Sequence, residues 1–130
     1  MVSWSVIARG AAVAALVGLA LVASPAGVAK DGDVLVRGTC TKSSSSKLKL
    51  SREDGRVEVE FEVDQNRNGV TWRIVLERNG TRVFSGARTT RPPSGSFEVR
   101  RVVGDTPAAD RFRARATSPS GEVCTARASF

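Results

Sequence analysis

Apolar and polar positions alternate with a period of two along most of the chain after residue 30. Val57, Val59, Phe61 and Val63 alternate with Glu58, Glu60, Glu62 and Asp64. Successive side chains of an extended backbone point to opposite faces, so this pattern predicts a half-buried strand. The same reading applies to Leu48 and Leu50 against Lys47 and Lys49, and to Trp72, Ile74 and Leu76 against Thr71, Arg73 and Glu77. It applies again to Phe112, Ala114 and Ala116 against Arg111, Arg113 and Arg115. Further strands are predicted at 34–41, 81–89 and 123–130. Turn signals separate them at 51–55, 66–69, Asn79-Gly80, 91–95 and 118–121. Asn-Gly is a strong hairpin signal, since both residues accept positive φ. Phe97 and Val99 open one more strand, whose apolar parity slips to Val102; a bulge near Arg100 or Arg101 is the expected cause.

No stretch of 30–130 has helical periodicity. Seven to eight short strands at about 10-residue spacing predict an all-β fold, an antiparallel immunoglobulin/fibronectin-III-like β-sandwich. In that plan the Phe61 strand is B, the Trp72 strand C, the 111–116 strand F and the last strand G. Trp72 is then the core anchor of strand C.

The first residues read differently. Residues 11–23 are an unbroken apolar run of 13, preceded by Arg9 and followed by Ser24-Pro25. A positive flank, a short apolar core and small residues before a cut are the marks of a signal peptide. The run falls short of the roughly 20 residues that cross a bilayer. Cleavage is expected before Lys30 or before Gly27, and no Cys follows either position to carry a lipid. The expected organisation is a signal peptide at 1–29 and one sandwich domain at 30–130, secreted and without a transmembrane segment after processing. An uncleaved N-terminal anchor is the alternative.

Composition narrows the chemistry. The chain has 130 residues, no His, no Tyr, two Cys and two Trp. Without His there is no Ser-His-Asp triad, no Cys-His dyad and no imidazole zinc site. Two thiols cannot hold a four-thiolate metal site or an iron–sulfur cluster. A protein that is not an enzyme and needs no cofactor is expected. Residues 30–130 carry a net charge of +6, from 19 Lys and Arg against 13 Asp and Glu. Arg outnumbers Lys 15 to 4 there, as a GC-rich genome also produces.

The segments Phe61-Glu62-Val63-Asp64-Gln65-Asn66-Arg67-Asn68-Gly69-Val70-Thr71-Trp72-Arg73, Pro93-Ser94-Gly95-Ser96-Phe97-Glu98-Val99-Arg100-Arg101-Val102-Val103 and Ala114-Arg115-Ala116-Thr117-Ser118-Pro119-Ser120-Gly121-Glu122-Val123-Cys124 carry a likeness. Over roughly residues 34–130 the chain resembles a group of small exported actinobacterial proteins of unknown function. The resemblance implies export and the sandwich. It implies no activity, ligand or catalytic residue.

Five constellations bear on function. Cys40 and Cys124 are expected to form one structural disulfide, since an exported context favours pairing and the first and last strands of the plan lie side by side. Free thiols and an intermolecular bridge are the alternatives. Asp64-Gln65-Asn66-Arg67-Asn68-Gly69 imitates the start of an EF-hand loop, but its twelfth position is Val75 where a Glu is needed. A B–C turn in which Asp and Asn bond their own backbone is the expected reading. Glu58, Glu60 and Glu62 share one strand face about 7 Å apart. That spacing suits a two-carboxylate glycosidase, yet a solvated face with cross-strand Arg partners is expected. Arg73, Arg113, Arg115 and Arg127 are the candidate anion-binding face, because strands C, F and G place them on one exterior surface. A planar guanidinium binds phosphate or carboxylate bidentately. Exterior arginines interspersed with Glu77 and Glu122 are the plainer reading. Finally, Arg91-Pro92-Pro93-Ser94 is the loop that would serve a secreted protease inhibitor.

The expected function is that of an exported, non-enzymatic binding or cell-envelope accessory module for an anionic envelope polymer or an acidic protein. A stand-alone polymer-binding module and a protease inhibitor are the alternatives. Nucleic acid is not expected, because no aromatic residue interleaves the arginines for base stacking.

Overall fold

The computed structural model describes residues 32–130. These hold nine strands and no helix: β1 (Val34–Arg37), β2 (Thr39–Cys40), β3 (Ser45–Glu53), β4 (Arg56–Asp64), β5 (Thr71–Arg78), β6 (Thr81–Thr89), β7 (Ser96–Gly104), β8 (Arg111–Thr117) and β9 (Val123–Ser129). They form two antiparallel sheets, in the orders β1-β3-β4-β7 and β2-β9-β8-β5-β6. The alternating apolar positions of both sheets meet in one core. Leu48, Leu50, Val59, Phe61 and Val99 come from the first sheet, and Trp72, Ile74, Leu76, Phe112 and Ala114 from the second. The fold is an all-β sandwich.

The strand order is that of the immunoglobulin-like plan. β4, β5, β8 and β9 take the places of B, C, F and G, and the β9-β8-β5 neighbours are the predicted G, F and C. β6 adds an outer strand beside β5, and β3 and β7 flank β4. The predicted signal peptide at 1–29 and both expected cut sites lie outside the described residues. Among the described residues no helix is long and apolar enough to cross a membrane.

Three details depart from the sequence-based expectation. The strand count is nine rather than seven to eight, because the predicted strand at 34–41 divides at Gly38. β1 pairs with β3 in one sheet, while β2 pairs with β9 in the other. At Gly38 the chain passes between them, with its N–H donating to Ser46 O at 2.9 Å. A Cβ there would lie 2.2 Å from Ser46 Oγ and 2.7 Å from the backbone oxygen of Thr125. Only glycine lets the chain pass this close to both sheets.

The predicted turn at 51–55 shrinks to Asp54-Gly55, both at positive φ (48° and 73°). Two such residues make the tight turn whose twist matches that of a hairpin, so pairing runs on to Glu53↔Arg56. The third departure is in β7, whose pairing with β4 is continuous and has no bulge at Arg100 or Arg101. Val102 simply points outward, 41% exposed. Arg101 takes the inward parity opposite Val59, but it does so at the open side of the sandwich. There its guanidinium lies 5.1 Å from the ring centre of Phe84 on β6, and Arg88 lies 5.2 Å from the same ring.

Candidate functional site

The outer face of the five-stranded sheet is built in rows. Arg127 on β9 stands opposite Arg113 on β8, Arg113 opposite Glu77 on β5, and Glu77 opposite Arg82 on β6. The next row runs Thr125, Arg115, Val75, Ser85, and the one after it Val123, Thr117, Arg73, Ala87. Arg111 precedes Arg113 on the same strand face, opposite Ser129. The register therefore sets Arg73, Arg113, Arg115 and Arg127 on one surface and joins Arg82 and Arg111 to them. β8 forms the axis, with three arginines at about 6.8 Å intervals.

Arg111 was legible from parity alone, since it alternates with Phe112 as Arg113 and Arg115 do with Ala114 and Ala116. Arg82 was not. The pairing of β5 with β6 shifts between Leu76 and Glu77. This bulge leaves Val83 packed against the core and turns Arg82 outward beside Glu77. A bulge re-aims the side chains that follow it, and nothing in the local residue pattern announces one here.

The charge balance of this face is unusual for the molecule. Arg73, Arg82, Arg111, Arg115 and Arg127 are exposed. Among the described residues none of these five meets a carboxylate; Arg113 does, at 3.9 Å from Glu77. Arg113 Nε is buried without a protein acceptor, and its cross-strand neighbour Arg127 is a like charge. Like charges directly opposite each other destabilise a ladder. Two depressions flank the Arg113–Glu77 pair. One, of about 570 Å³, is bordered by Arg111, Arg113 and Arg127. The other, of about 440 Å³, is bordered by Arg73, Arg82, Arg113 and Arg115, with Val75 and Glu77 also in its lining. Glu122 does not belong to this face. It is buried, and its carboxylate accepts from Lys42 N, Ser44 N and Ser44 Oγ, tying residues 42–44 to the 118–121 turn.

The opposite sheet shows what the same chain does when its charges are matched. Lys47 lies 3.6 Å from Glu62 and Lys49 lies 2.7 Å from Glu60. Arg100 pairs with Glu60 and approaches Glu58 and Glu98 at 3.7 Å each. Glu58, Glu60 and Glu62 do share a face, but it is not uniformly solvated. Glu60 is only 6% exposed, because Lys49 and Arg100 close over it from both neighbouring strands. Burial alone would raise its carboxyl above the usual range; the Lys49 hydrogen bond and charge, followed by those of Arg100, outweigh burial and hold it lower. Glu58 shifts the other way, raised by burial and by the charge of Glu60 despite Arg100. Carboxylates neutralised in this way hold a sheet together.

The chain matches no protein-family model and no curated protein.

The remaining candidates have structural positions. Cys40 and Cys124 stand directly opposite each other in the β2–β9 ladder and are joined by a disulfide. Trp72 is fully buried, donates from Nε1 to Gln65 Oε1 at 3.0 Å, and lies 6.0 Å from the Phe97 ring. The 64–69 segment is a turn in which Asp64 Oδ1 accepts from Asn66 N at 2.9 Å, with Asn66 and Gly69 at positive φ. Among the described residues no group of three or more His, Cys, Asp or Glu is placed to hold a metal ion. The Arg91–Ser96 segment is a closed turn. Arg91 N donates to Ser96 O and Gly95 N to Arg91 O, both at 2.9 Å. Asp110, which sequence reading passed over, accepts from Arg78, Asn79 and Thr106 at the start of β8. These bonds, that of Arg78 foremost, hold its carboxyl down to about 2.

Proposed function

We propose that the chain is an exported, non-enzymatic β-sandwich module that binds an anionic extracellular partner through the outer face of β8 and its neighbours. One observation carries the reading. Six arginines share that face with one carboxylate, Glu77, while on the opposite sheet Lys47, Lys49 and Arg100 are matched by Glu58, Glu60, Glu62 and Glu98. Arginines occur on both sheets, and what sets this face apart is its shortage of carboxylates. Unpaired guanidinium groups gathered on one surface raise the local potential and draw polyanions to it.

The module is exported. The apolar run at 11–23 supports this, and a disulfide fits an oxidising compartment. The resemblance to small exported actinobacterial proteins agrees with it. The protease-inhibitor alternative has less support, because an inhibitor presents an extended segment to its protease, whereas the backbone after Arg91 folds back on itself.

Replacing Arg113 and Arg115 together by Ser tests the reading. Binding to an anionic polymer column should weaken at least several-fold and lose much of its salt dependence. The melting temperature should change little, because Arg115 is exposed and Arg113 gives up a 3.9 Å pair with Glu77 together with an unsatisfied buried Nε and the like charge of Arg127 opposite it. A double variant that binds like the parent across a salt titration refutes the proposal.

A further inference from the structure

The anion-binding reading of the β8 face leaves the class of partner open, and the geometry narrows it. Arg111, Arg113 and Arg115 stand in line along one strand, each two residues from the next, so their spacing is about 6.8 Å and the column spans about 14 Å. Arg127 widens the column on one side near Arg113, and Arg73 and Arg82 widen it on the other. The depressions at the two ends share Arg113. An isolated anion can engage the arginines of only one of them, and Glu77 lines both. Engaging the whole column takes a linear partner with a negative charge repeating at a similar interval.

The rest of the face shows what that partner lacks. Apart from the arginines it presents one carboxylate, Glu77, together with small, polar or aliphatic residues such as Thr117, Thr125, Ser85 and Val75, and among the described residues no exposed aromatic ring. Every Phe and the Trp of the described residues is buried or half-buried, and the exposed large apolar residues, Leu35 and Val102, belong to the other sheet. Protein partners are held by buried aromatic or aliphatic anchors, and single-stranded nucleic acids by stacking on aromatic rings. Neither kind of anchor is present. What remains is charge recognition by guanidinium forks, the geometry suited to phosphate oxygens.

We infer that the β8 face binds a linear phosphodiester polymer with an aliphatic repeat, laid along the Arg111–Arg113–Arg115 column. A polymer with a three-carbon spacer has six bonds from one phosphorus to the next and repeats at a comparable length. This inference rests on the anion-binding reading, and the experiment separates the two. Poly(glycerol phosphate) of about ten units is titrated into the protein by calorimetry, beside glycerol 3-phosphate, a ten-residue polyglutamate and a ten-nucleotide single strand of DNA. The polymer should bind at least tenfold tighter than each of the other three. Its affinity should climb steeply from one to three phosphates and little thereafter. The salt dependence should have a log–log slope of about −2, the value for three contacts on a single-stranded polyanion. An Arg111→Ser/Arg115→Ser variant, which removes both ends of the column and keeps Arg113, should lose tenfold or more toward the polymer and little toward glycerol 3-phosphate. Polyglutamate binding as tightly as the polymer overturns the phosphodiester assignment, and DNA binding as tightly overturns the assignment of an aliphatic repeat. Glycerol 3-phosphate binding as tightly overturns the column. If the double variant binds every one of these anions as the parent does, the anion-binding reading itself falls.

Discussion

Replacing Glu60 by Gln should cost about 2–3 kcal/mol at neutral pH. The side chain keeps its shape but only one of its two accepting oxygens, and since Lys49 and Arg100 bond different oxygens, the change removes one charge and one acceptor. Its partners are unequal. The Lys49 ammonium, 2.7 Å away, is 11% exposed, whereas the Arg100 side chain is 55% exposed. Removing one member of a buried pair costs 3–5 kcal/mol because the survivor is left uncompensated, and that figure suits Lys49. Arg100 loses less, since water and the carboxylates of Glu58 and Glu98 remain within its reach. Glu58 gains from losing a like-charged neighbour. That relief, and an amide oxygen that can turn to accept from Lys49, offset the smaller loss at Arg100 and set the expectation at or just below the lower end of the range. For a domain of this size the loss corresponds to a fall of roughly 10–20 °C in melting temperature. The pH dependence has a definite sign. The Glu60 carboxyl titrates below its ordinary 4.5 in the folded chain. Its contribution is therefore complete above about pH 4.5 and disappears as the pH falls through the folded value. Thermal melts of parent and variant should differ most at pH 7 and converge in acid, where the parent's Glu60 is also neutral. A loss under about 0.5 kcal/mol at pH 7, or a gap that stays constant into acid, would show that the Lys49–Glu60–Arg100 cluster is no more than surface charge.

Two further outcomes are expected. Cys124→Ser opens a closed loop with a sequence separation of 84, and the melting temperature should fall in line with a loss of about 4–5 kcal/mol on the chain-entropy model; an unchanged denaturation curve counts against it. Gly38→Ala forces a methyl group against the backbone oxygen of Thr125, which no rotamer relieves, and denaturant titration should register a loss of about 1–3 kcal/mol. Pairing it with Ser46→Ala should recover little, since the backbone clash persists.

Much of the sandwich was legible because its core is built by strict alternation. Leu48 and Leu50, Val57 to Val63, Trp72 to Leu76 and Phe112 to Ala116 each bury every second residue, and a period of two survives any choice of partner strand. The features that escaped depend on non-local contacts. Gly38 resembles any glycine in a strand until both sheets are in place. Arg101 looks like a parity error, and so predicts a bulge, because an inward-facing charge is tolerable only where the sandwich is open. The true bulge beside Glu77 depends on how β6 is received by β5, and it moved Arg82 onto the arginine face unseen. Glu60 read as solvated because its own strand alternates normally; Lys49 and Arg100, from strands on either side, bury it.

The paired placement of Arg88 and Arg101 around Phe84 also bears on how the protein remains a separate molecule. β6 and β7 are edge strands of nine residues each, free of proline, and an unpaired strand edge is a template for adding a foreign strand. Extending either sheet would carry the sandwich's open side into the joint. It would strip water from two guanidinium groups that form no ion pair among the described residues, a cost that self-templated growth cannot recover. Inward-pointing cations at both margins thus act as stops on edge-to-edge assembly, and the half-exposed phenyl ring between them keeps each guanidinium in place.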